Sequence, residues 1–124
     1  MKMLSQNPAA AYRRVELDAR IEAAGAADLT RICLEQAITA LGQAVLVLER
    51  QPGRVPHEPL SRAQAIALWL AGSVAPDHPL RASLIQFYGG QADAIRQCLT
   101  MPDAALVAGV RADLADLLAA ANQG

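Results

Sequence analysis

Two histidines, two cysteines and one close pair of aspartates are the side chains whose types could do chemistry here. His57 lies in the proline-rich stretch QPGRVPHEP (51–59), and His78 lies in APDHP (75–79). A zinc site takes histidines at i,i+4 or clustered cysteines, and neither histidine has such a neighbour. Both are expected to be solvated loop residues. A phosphotransfer histidine sits exposed on a helix, and Pro56 and Pro59 around His57 oppose that. Cys33 and Cys98 stand far apart inside helical patterns. A disulfide is one reading; two buried thiols in a reducing compartment is the expected one.

Asp113 and Asp116 are spaced i,i+3. An acid–base pair would need a cleft that perturbs it, whereas solvated carboxylates on a helix face need nothing. YGGQ (88–91) is not a phosphate loop, because no strand precedes it and no Lys-Ser/Thr follows. A glycine pair in a helical pattern is expected to permit a close helix approach or a kink. Arg13, Arg14 and Arg20 form a small basic patch near Tyr12, either solvated or paired with Glu16 and Asp18. No catalytic residue, metal ligand set or cofactor motif is expected. The chain does not read as an enzyme.

The elements that carry these residues are helical. The 124 residues are 53% hydrophobic but only 3% aromatic, so the apolar content is mostly Ala and Leu, which favour helix. A chain this long builds one domain with one core. The net charge is −1 with no basic block, so no nucleic-acid partner is expected. The first residues carry no apolar stretch of signal-peptide length, and a cytoplasmic location is expected.

LTRICLEQAITALGQAVLVLE (29–49) is the most apolar segment. It is long enough to span a bilayer, but Arg31, Glu35, Gln36 and Gln43 interrupt it, and charge at the bilayer centre is costly. No membrane partner is expected. Breaks fall at 51–59, 75–79 and TMPD (100–103), with a weaker one around Gly25. Asp28 is expected to cap the long helix, Ser61 the next, Asp77 or Pro79 to open a third, and Asp103 to cap the last. A separate helix is expected over 9–23.

These elements predict an all-α fold: an antiparallel up-and-down four-helix bundle (28–122) with an additional N-terminal helix or segment (1–27). Apolar spacings of three and four place Leu29, Ile32, Leu41 and Val45 in the core, with Ile66, Trp69, Leu84 and Phe87. The long helix stands at the centre. Its further apolar residues exceed what one core-facing stripe needs, which suggests a groove for another helix.

The layout resembles the flagellar export chaperones of the FliS type. Ala11-Tyr12 is similar to the family's early Ala-Tyr pair. DLTRICLEQAI (28–38) is similar to its L-x-x-x-L-Y-D-x-A helix, with Leu34 where the family has Tyr and Ala26-Ala27 in place of Ser-Pro. RAQAIALWL (62–70) and LIQFY (84–88) are similar to its second and third helices, and a leucine-rich last helix follows. The resemblance implies a cytoplasmic chaperone that holds the disordered C-terminal region of flagellin and prevents premature polymerisation. It implies a client groove at Tyr12, Val15, Leu34, Ile38, Leu46 and Val47, with the segment around Tyr12 as a cover. A plain core aromatic is the other reading of Tyr12. The alternative function is a non-catalytic helical interaction or regulatory module, homodimeric through the same apolar face. A homodimer in the absence of client is compatible with both.

Overall fold

The Ala- and Leu-rich runs fold into four helices: α1 (Pro8–Arg50), α2 (His57–Gly72), α3 (Arg81–Thr100) and α4 (Ala104–Gln123). The structure, a computed structural model, describes the backbone of residues 8–123 and the side chains of residues 27–121. No strand occurs among the described residues, and the fold is all-α. The chain divides into two units, Met1–Arg31 and Ile32–Gly124.

The helix starts differ from expectation in instructive ways. No break occurs at Gly25, and the helix expected over 9–23 is the first part of α1. One helical glycine costs about 1 kcal/mol, and four neighbouring alanines, the strongest helix formers, carry the helix through it. Asp28 is therefore not a cap; its Oδ1 lies 3.7 Å from Nη2 of Arg31, one turn on. α2 begins at His57, not after Ser61. Pro59 sits in its first turn, where a missing N–H removes no helical hydrogen bond. α3 begins at Arg81, after both Asp77 and Pro79. The turn before it is held by His78, whose Nδ1 accepts a hydrogen bond from the Leu80 N–H at 2.9 Å. Asp103 does cap α4: its Oδ1 accepts from the Leu106 N–H at 3.1 Å.

Among the described residues the core lies in the second unit. α1 contributes Leu34, Ala37, Ala40, Leu41, Ala44 and Leu48, a row repeating every three or four residues. α2 adds Leu60, Ala63 and Leu70, α3 adds Tyr88, Ile95 and Cys98, and α4 adds Val107, Val110 and Leu114. α2 packs along α3, and α3 meets α4. α1 meets the others through the shared core, and Arg62 of α2 donates to Gln43 while Arg111 of α4 lies against Gly42. No polar or charged residue is buried among the described ones.

Of the expected core residues, Leu41 is fully buried. Val45, Ile66, Leu84 and Phe87 are half-buried against the core. Leu29 and Ile32 are half-buried as well. Trp69 is not a core residue: it is 46% exposed, beside Leu68 at 55%. The inward row of α2 is Leu60, Ala63, Ala67 and Leu70, and the 100° advance per residue turns Trp69 well away from it.

Gly89 and Gly90 lie in the middle of α3, and a Cβ at either would meet nothing within 4 Å. They serve no close helix approach. Gly90→Ala should therefore raise stability by about 0.5–1 kcal/mol through helix propensity alone. Denaturant titration checks this, and an unchanged or lowered midpoint would show a role for the glycine beyond propensity.

Candidate functional site

The spare apolar surface of α1 lies opposite its core row. The 27–50 stretch is the part of the described chain long and apolar enough to cross a membrane, 24 residues at a mean hydropathy of 1.4. Six of its residues form the core row, which accounts for much of that apolarity. Leu46 is left 52% exposed, while Val45 and Val47 on either side are half-buried.

The structure describes four of the six expected groove residues and separates them. Leu34 is fully buried and is a core residue, not a groove residue. It stands seven residues before Leu41, two helical turns away, and so shares its face. Ile38 is half-buried against the core, and Val47 is half-buried. Leu46 alone of the four described residues is exposed. Tyr12 and Val15 lie outside the residues whose side chains are described, as do Arg13, Arg14 and Arg20.

Leu46 belongs to an open depression of about 550 Å³, lined by Thr39, Gly42, Gln43, Val45, Leu46 and Glu49 of α1 and Arg111 of α4. Gly42 makes room for Arg111, since a Cβ there would stand 3.3 Å from the guanidinium Nε. Gln43 is held at its edge: Arg62 Nη2 donates to Gln43 Oε1 at 2.7 Å, and Arg62 Nη1 donates to Glu58 Oε2 at 3.2 Å. Arg111 and Glu49 make no ion pair or side-chain hydrogen bond among the described residues. Sequence reasoning missed Arg111. Its seat is a contact between α1 and α4, which no local pattern encodes: only tertiary packing brings Arg111 over Gly42.

The side chains that could do chemistry are dispersed. His57 is exposed but is the first residue of α2 rather than a loop residue, because Pro59 fits a helix's first turn; His78 is exposed in the turn before α3. Asp113 and Asp116 are both exposed, and Asp113 Oδ2 accepts from Gln91 Nε2 at 3.3 Å. Among the described residues no three His, Cys, Asp or Glu side chains gather closely enough to hold a metal ion. Cys33 is half-buried and Cys98 buried, and both are free thiols.

Burial pushes the Cys33 and Cys98 thiols up from their ordinary value of 9.0, and pushes the Tyr88 phenol up as well, with the nearby Cys33 adding to it. The folded protein thus holds protons that the unfolded chain releases. That contribution is complete below pH 9.0 and is lost as pH rises above it. Urea unfolding should show stability falling above that pH, with the fall reduced in Cys33→Ala/Cys98→Ala. An identical fall in the double variant would mean that the thiols contribute nothing. Native-state thiol labelling should be slow at neutral pH for the same reason.

No protein-family model and no curated protein matches the chain.

Proposed function

We propose that the chain is a non-catalytic cytoplasmic export chaperone whose client is the disordered C-terminal region of flagellin. Residues 28–122 form an antiparallel up-and-down four-helix bundle in this reading. The observation that carries it is Leu46, exposed on the same helix that supplies the largest share of the core. A helix that has already filled the core and still presents a leucine beside an open depression offers a docking line for a second helix. The client binds as an amphipathic segment that orders on contact, with an apolar side chain against Leu46 and Val45. Holding the client there keeps its polymerising segment covered until export. The sequence resemblance to the FliS-type chaperones supports the choice of client.

Mass in solution tests the proposal. The chain mixed with the C-terminal fragment of its cognate flagellin should give a one-to-one complex. A chain that stays folded and shows no complex at any ratio would overturn it.

A further inference from the structure

The face around Leu46 is complementary to itself. Along α1 it presents a cation, a leucine and an anion in that order: Arg111 seated over Gly42, then Leu46, then Glu49. Gly42 lies roughly 6 Å before Leu46 along the helix axis and Glu49 roughly 4.5 Å after it, at 1.5 Å per residue. Neither charge has an ionic partner among the described residues. A partner helix laid antiparallel on this face must present anion, apolar side chain and cation in the opposite order. A second copy of the same face, turned by a two-fold axis through Leu46, presents that order.

We infer that this face is a homodimer interface, with Leu46 packed on Leu46 at the two-fold axis and Arg111 of each protomer paired with Glu49 of the other. The interface is isologous: one patch meets itself, and the Arg111–Glu49 pair forms twice by symmetry. The inference stands apart from the choice of client, and its test uses no flagellin. The two are linked only in that a client on Leu46 and a second copy on Leu46 exclude each other.

Sedimentation equilibrium on the full chain and on two charge-reversed variants tests it. The intact protein should dimerise, more weakly as salt screens the exposed pairs. Arg111→Glu and Glu49→Arg should each weaken the dimer at least about tenfold, since each places like charges opposite one another. Both side chains are exposed, so circular dichroism should show an unchanged fold. An equimolar mixture of the two variants should form a one-to-one heterodimer, because each reversed charge then meets its opposite. A monomeric intact protein would overturn the inference. So would variants that dimerise as the intact protein does, or a mixture no tighter than the variants alone.

Discussion

Replacing Leu41 by aspartate should unfold the second unit. Leu41 has no exposed surface, and among the described residues no charged side chain is buried that could pair with a carboxylate. The substitution removes a buried leucine and leaves either an unpaired charge or a protonated acid without a hydrogen-bond partner. The cost is several kcal/mol, a large share of the roughly 5–15 kcal/mol that holds a domain together. Circular dichroism and thermal melting should show lost helicity, or a transition lowered far below that of the parent protein. An unchanged melt would mean that α1 does not form the core.

Leu34→Ala and Leu46→Ala should behave as opposites. Both leucines lie on α1, twelve positions apart in sequence, and the resemblance places both in one client groove. Leu34 is fully buried against the other helices, so its truncation should cost about 2–5 kcal/mol, the transfer of its methyl groups plus the cavity left behind. Leu46 is 52% exposed, and its truncation should change stability by no more than about 0.5 kcal/mol. Urea unfolding of the two variants measures the difference. Equal losses would contradict the division of α1 into a core row and a free face.

Much of the fold could be read from local chemistry. Pro52, Pro56, Pro76, Pro79 and Pro102 all fall between helices, and Asp103 caps α4 because its carboxylate reaches the Leu106 N–H. The continuity of α1 was not legible, because a lone Gly25 weighs little against the alanines around it. The exposure of Trp69 was not legible either. Spacings of three and four describe two adjacent rows on an Ala-rich helix equally well. The core takes the row with Ala63 and Ala67, where small side chains let helices approach, and leaves the tryptophan outside. In the candidate site Leu46 was legible as surplus apolar residue on α1. Leu34 was misplaced, because a helix apolar on most of its circumference does not reveal which row the neighbours will cover. Arg111 over Gly42 is a contact between the longest helix and the last one, and no local pattern encodes it.

The most direct test of the chaperone proposal is calorimetric titration of the cognate flagellin C-terminal fragment into the intact protein and into Leu46→Asp. The intact protein should bind one fragment per chain, and the folded variant should bind on the order of tenfold more weakly or worse, because a carboxylate replaces the apolar anchor at the centre of the docking line. Absence of binding by the intact, folded protein would contradict the choice of client. Equal binding by both proteins would contradict the assignment of the site to the exposed face of α1.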